Sequence, residues 1–351
     1  MDDIELLSRM RADVPEVDPL ALRRARRRLL ARAVGPRLSE VRSRRRRTAV
    51  RFAVAAGLAA VLAGGLVATD SLTNSGRPVT GASADAAELL NLAADRTQAT
   101  PDPVVRPGQY RYVVTHAWYG NAIVGFPEDR DRTMFYLTEQ RYEVWIPFNE
   151  SGIWYRRYTR PLSAKFFSAA DERFIRLHHP DWLRPQVELY TGANGGMAPN
   201  QAAPQADWGV PTSAWLATLP RDPVALLARI YQDTAGAGPD RDTEAFVAIG
   251  DVLRTGLVPS DLRAALYRAA ARIPGVRLID NAANLDGKRG VAVGRDNPWG
   301  ARDEIIFDSE AGQFIGERSV SIDPRIAQAP AGSVVGSTAV TVSIAARPGF
   351  H

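Results

Sequence analysis

The chain has 351 residues, of which 45% are hydrophobic and 24% charged, enough for one large domain or two modest ones. It contains no cysteine, which excludes structural disulfides, a lipoprotein anchor and any thiolate zinc or iron–sulfur site. The net charge of +5 is unevenly spread: residues 1–51 hold 15 arginines against 7 acidic residues, a net of +8, which leaves −3 for residues 52–351 and removes the basic face that direct nucleic-acid binding needs.

The first segment, 1–48, is an arginine-rich arm. Asp18-Pro19 pairs an N-cap acceptor with proline at the first helical position, and Gly35-Pro36 stops the helix that follows. Leu22, Ala25, Leu29 and Ala33 fall on one stripe of that helix, and Arg23, Arg24, Arg27 and Arg28 occupy the rest. Ile4, Leu7 and Met10 repeat the helical spacing nearer the start. Such short helices bury no core alone. Three readings of the arm stand: a charged topology determinant on the inner leaflet, a docking helix for a cytoplasmic protein partner, or a DNA contact. Only Lys165 and Lys288 are lysines among 44 basic residues, the composition of a high-GC bacterial genome, and that cheapens every argument from arginine runs.

Residues 49–69 carry no charge from Phe52 to Ala68, and as a helix they span about 30 Å, the thickness of a bilayer's hydrocarbon core. Arg44, Arg45, Arg46 and Arg47 precede them and Arg51 is placed to snorkel back. Basic residues on one flank only predict a single-pass signal anchor with the N-terminus cytoplasmic and the larger part extracytoplasmic in the cell membrane. The alternatives are a buried core helix, a twin-arginine export signal at Arg46-Arg47, or a cleaved signal peptide; Ala82-Ser83-Ala84 lies too far downstream for the last. Ala56, Ala60, Gly64 and Ala68 form a small-residue ridge suited to helix packing, although alanine-rich composition makes such ridges common.

Residues 70–84 read as a polar linker. Asp85 can cap a helix running to about Thr97, with Ala86, Leu89, Leu90 and Ala93 on one face, and Pro101, Pro103 and Pro107 force an extended connection. From Gln109 the hydrophobic period changes to two: YRYVVTHAWY, FYLTEQRYEVWI and IWYRRYTR predict an antiparallel meander. Tyr112, Trp118, Tyr142 and Trp145 are the candidates for an apolar ligand face on this sheet, with ordinary sheet packing as the alternative.

Residues 161–219 show no clear period. His178-His179-Pro180-Asp181 is the one conceivable metal cluster, but adjacent histidines point apart and no third histidine is near, so no metal is expected. Thr191 to Asp207 reads as a mobile loop. Asp222-Pro223 starts a helix, followed by helices over Glu244–Arg254 and Ser260–Arg272; strands return at VRLID, RGVAVGR, DEIIFD and QFIGERSV, and Ala339 to Ile344 is placed as an edge strand. The expected fold is α+β: a single N-terminal transmembrane helix, then an extracytoplasmic domain over 85–325 with a curved antiparallel sheet (half-barrel) covered by helices on one side, then a C-terminal strand and tail over 326–351.

LPRDPVALLARI, VLRTGLVPSDLRAALYRAAARIPGV, DGKRGVAVG and EIIFDSEAGQFIGERSV, in that order and behind an Asp-Pro, Arg-rich arm, resemble a family of single-pass membrane proteins of high-GC Gram-positive bacteria. Such proteins are similar in arrangement to membrane-bound regulators paired with extracytoplasmic-function sigma factors, and their outer domain looks like the LolA/RseB half-barrel, which holds lipid or senses envelope state. The resemblance implies a sigma-factor partner for residues 1–48 and a lipid or hydrophobic ligand outside. One departure is that no cysteine or histidine precedes His116, so the arm lacks the zinc motif of many anti-sigma factors.

Catalytic signatures are missing: there is no G-x-S-x-G, no phosphate loop, no G-x-G-x-x-G and no H-E-x-x-H. No enzyme activity, catalytic residue, cofactor or metal is therefore expected. The sequence points to a membrane-anchored, non-enzymatic regulatory or signalling protein, anti-sigma-factor-like or envelope-sensing. The alternative is an anchored binder or carrier of a hydrophobic or lipid ligand.

Overall fold

The computed structural model describes residues 81–198 and 204–349. The arm, the anchor segment with Arg44–Arg47, Arg51, Ala56, Ala60, Gly64 and Ala68, and all but the end of the linker lie outside the described residues. Among the described residues no helix is long and apolar enough to cross a membrane.

The described chain is α+β, built on one open antiparallel sheet. Helix α1 (Ala84–Ala99) comes first; Ser83, not Asp85, is its N-cap, accepting from the Ala86 N–H at 3.4 Å, while Asp85 sits in the first turn where the helix dipole favours it. Strands β1 (Tyr110–Val124), β2 (Thr133–Pro147) and β3 (Ile153–Arg160) follow, then the short β4 (Ala164–Phe166). The stretch without a clear period contains α2 (Ala169–His178), a 3-10 turn at Pro180–Leu183, β5 (Gln186–Ala193) and α3 (Ser213–Ala217). A helical block comes next: α4 (Pro223–Asp233), α5 (Arg241–Arg254) and α6 (Ser260–Ala270). The Asp222-Pro223 start is as expected, with the Asp222 carboxylate accepting from the N–H groups of Val224 and Ala225. Strands β6 (Arg277–Ala283), β7 (Arg289–Asp296), β8 (Ala301–Phe307), β9 (Phe314–Ser321) and β10 (Val334–Ala345) complete the sheet, with the one-turn α7 (Pro324–Ala327) before the last.

The strand order is β5-β3-β2-β1-β10-β9-β8-β7-β6, with β4 against β2. Two meanders, one from each end of the domain, are thus joined by a single pairing of the first strand with the last, Tyr110 against Ala345 through Trp118 against Ser337. The expectation that the last strand closes an edge is corrected here: β10 is central. Its six consecutive buried residues, Val335 to Val340, show why, since a strand covered on both faces loses the in–out alternation of an edge or half-solvated strand.

Helices α1 and α4–α6 pack on one face of the sheet. Leu90, Leu226, Ile230, Ile249, Leu262 and Leu266 are fully buried there against Val293, Ile305 and Phe307 of the second meander and Val113, Ile146 and Trp154 of the first. Burying one such aliphatic side chain contributes about 1.5–3 kcal/mol, which makes this layer the main source of stability. Helix α2 supplies a smaller cover, with Ile175 and Phe174 against Met134, Tyr136 and Phe126.

Candidate functional site

Residues directly opposite one another in antiparallel strands share a face. Tyr112 pairs with Trp145, but Tyr142 pairs with Thr115, so Tyr142 lies on the face opposite Tyr112, Trp118 and Trp145. The four residues expected to line one apolar surface therefore do not share one. Trp145 is three positions beyond Tyr142 on the same strand, and an odd separation reverses the face.

On the helix-free face the Tyr112 and Trp145 rings stack with centroids 4.8 Å apart, and beneath them the Glu143 carboxylate is only 3% exposed. Arg157 donates to both Glu143 oxygens, at 2.7 and 2.8 Å, and the Tyr112 hydroxyl donates at 2.5 Å. Burial alone would raise the Glu143 carboxyl, but the bonds from Arg157 and Tyr112 outweigh it and hold it below the ordinary carboxylate value. Burial, then the neighbouring Glu143, pushes the Tyr112 hydroxyl up. The C-terminal segment seals the cluster: Arg157 also donates to the Gly349 carbonyl at 2.9 Å, and a Cβ on Gly349 would lie 3.0 Å from the Trp145 ring. Trp118 is packed separately, against Phe135, Leu137, Ala301, Ala329 and Val335.

The helix-side face holds the arrangement suited to binding. Tyr119 (β1), Tyr142 (β2), Tyr158 (β3) and Tyr190 (β5) form a row across four strands, with centroids 5.9, 4.8 and 5.3 Å apart. The rings meet edge to face or tilted, the geometry aromatic quadrupoles favour. All four are half-buried. Desolvation pushes the hydroxyls of Tyr119, Tyr142 and Tyr158 above the ordinary phenol value. Tyr142 donates to Gln140 and Tyr190 to Glu188. Arg160 grips Glu188 with contacts of 2.9 to 3.2 Å, and although burial alone would raise that carboxyl, Arg160 and Tyr190 keep it low. Beside Tyr119, Arg254 of α5 donates to Glu317 of β9 at 2.6 Å and to Asp251 at 2.5 Å. The row is thus a strip of rings bordered by two ion pairs, Arg160 with Glu188 and Arg254 with Glu317. It offers ring faces and edges to a ligand but no poised nucleophile–base pair.

At the β5 end, Arg156 is 5% exposed and has no carboxylate partner among the described residues; it donates to the carbonyls of Gly196 at 2.8 Å and Gly195 at 3.0 Å and lies over the Trp154 ring. Burial lowers its pKa. Two surface depressions, of about 220 and about 700 Å3, lie beyond the end of β2 around Phe148 and Glu150 and are lined by none of the row's tyrosines.

His178 and His179 stand at the end of α2, where His179 stacks on Trp182 with centroids 4.1 Å apart. Among the described residues no cluster of His, Asp and Glu has the geometry to hold a metal ion. Tyr119, Tyr158, Tyr190, Arg160 and Glu188 were not singled out in the sequence. The parity of Tyr142 and Tyr158 about the Asn149–Gly152 turn carried that signal, whereas β5 had no readable period. No model of a known protein family matches the chain, and no curated protein matches it.

Proposed function

We propose that the protein is a single-pass, membrane-anchored, non-enzymatic regulatory protein whose extracytoplasmic α+β domain responds to a ligand or envelope condition. Residues 49–69 form its anchor and residues 1–48 engage a cytoplasmic partner, a sigma factor. The open sheet is read as a half-barrel of the LolA/RseB kind. The observation that supports a sensing rather than a catalytic domain is the tyrosine row, a half-buried aromatic strip bordered by the Arg160–Glu188 and Arg254–Glu317 pairs. The test is capture from membranes by the full-length protein against the chain lacking residues 1–48. A sigma factor retained by the first and lost by the second supports the reading; retention of anionic lipid alone by both sinks it.

The second reading, an anchored binder or carrier of a hydrophobic or lipid ligand, is favoured by the same half-buried tyrosine row. Full-length protein purified from membranes carries bound lipid under that reading, and Tyr142→Ala together with Tyr158→Ala releases it. Purified protein free of extractable lipid beyond the annular shell removes it.

A further inference from the structure

We propose that His116 is a proton-operated latch that fastens the tip of the β6–β7 hairpin to strand β1. Strands β1 and β7 are separated by β10, β9 and β8, which in a flat sheet places them about 19 Å apart. The hairpin tip nevertheless reaches β1 by folding across the helix-free face. Asn284 Nδ2 donates to the Ile315 carbonyl of β9 at 2.9 Å, and the Leu285 N–H donates to the Thr338 carbonyl of β10 at 3.2 Å. Asp286 Oδ1 then lies 2.6 Å from His116 Nδ1. Gly316 permits the crossing: a Cβ there would sit 2.1 Å from the Thr338 oxygen and 3.2 Å from the Asn284 Cβ.

The other ring nitrogen of His116, Nε2, lies 2.9 Å from Glu139 Oε1 on β2. Ionised carboxylates accept and never donate, so both contacts are hydrogen bonds only when both ring nitrogens carry protons. The neutral ring has one N–H, and its bare nitrogen faces a carboxylate lone pair at one of the two contacts. Histidine is the side chain that changes charge across the neutral range, so the latch closes on the acid side and loosens as pH rises. The two nitrogens diverge toward different carboxylates, which excludes a shared metal.

The surrounding charges leave this exchange to His116. On β2, Arg141 stands directly across from it and lies 3.8 Å from Glu143, which Arg157 holds. Ser163, before β4, donates to Glu139 Oε2 at 2.5 Å, and Lys165 on β4 lies over the Phe167 ring. The β10 residues on this face, Ser337, Ala339 and Thr341, are uncharged. Lys288 and Arg289 are the cations at the hairpin tip; Lys288 is paired with Asp308 at 2.6 Å and Arg289 is exposed. Arg318 of β9 is held by Glu304.

The latch is independent of the membrane anchor. It is tested by amide hydrogen exchange of residues 281–289 in the full-length protein at about pH 5 and about pH 8, corrected for the intrinsic pH dependence of exchange. Protection of the tip is expected to fall about fivefold at the higher pH, the scale of one partly exposed ion pair, while the β1 and β2 amides stay constant. His116→Gln keeps a side chain able to bond without titrating, and Asp286→Asn removes the latch's carboxylate independently; in each the pH dependence disappears. A flat profile in the wild type, or an undiminished pH dependence in either variant that folds, overturns the proposal.

Discussion

The two meanders solve the same problem, covering one face of a sheet, with different chemistry. The second meander lies under α1 and α4–α6, and its inward residues are Val293, Ile305 and Phe307 against a layer of Leu, Ile and Ala. The first has only α2 and the margin of that layer over it, and where helices are scarce the strands cover themselves. Tyrosines lean on one another across Tyr119, Tyr142, Tyr158 and Tyr190 with Arg160 of β3 binding Glu188 beside them, and on the opposite face Arg157 of β3 binds Glu143. The lesson is that aromatic and ion-pair packing gives a sheet face that is ordered yet partly accessible, whereas helix-on-sheet packing shuts water out.

That contrast can be broken at either end. Leu266→Ala, in the helix layer, leaves a cavity with no room to collapse and is expected to cost about 4 kcal/mol of unfolding free energy in denaturant titration. Glu143→Gln takes the charge-assisted bonds from Arg157 and is expected to cost about 2 kcal/mol, with retained aromatic circular dichroism showing that the fold survives. The same variant tests a pH effect. Glu143 is held below its unfolded value, so its contribution is present above the unfolded carboxylate pKa and is lost as pH falls through the folded one. Stability should therefore decline below about pH 4, and more shallowly in Glu143→Gln.

A smaller effect of opposite sign sharpens the comparison inside the helix layer. The Tyr267 hydroxyl is buried there without a hydrogen bond of normal geometry, so Tyr267→Phe removes a stranded polar group and should raise stability by about 1 kcal/mol. A destabilisation of that size would mean the hydroxyl has a partner in solution. The smallest change is expected at the outer edge, where Val187 and Leu189 of β5 are 60% and 55% exposed: Val187→Lys or Leu189→Lys should shift stability by less than about 0.5 kcal/mol. A larger loss would show that this edge is covered.

Local pattern was legible where it was strong. The strands from Tyr110 to Arg160 and the Asp222-Pro223 helix start follow directly from period and capping chemistry. The N-cap of α1 was misplaced by two residues because Asp85 and Ser83 both satisfy the same rule, and only the direction of the chain entering the helix selects Ser83. Strand β5 was missed because it follows a turn-rich stretch, and its alternation, Val187 and Leu189 against Glu188 and Tyr190, is short. The tyrosine row needed the register of four strands at once, and one of them was unread.

The sequence by itself determined the α+β class, most of the strand and helix spans, the arginine-rich arm and the uncharged run, because each depends on side chains close along the chain. Tertiary structure alone decided that β10 joins the two meanders at the centre, that Tyr142 parts from Trp145, and that His116 meets Asp286 across 170 residues of sequence. Those outcomes depend on strand order and register, which are set by which buried faces pack together over the whole domain and not by any local preference of the residues concerned.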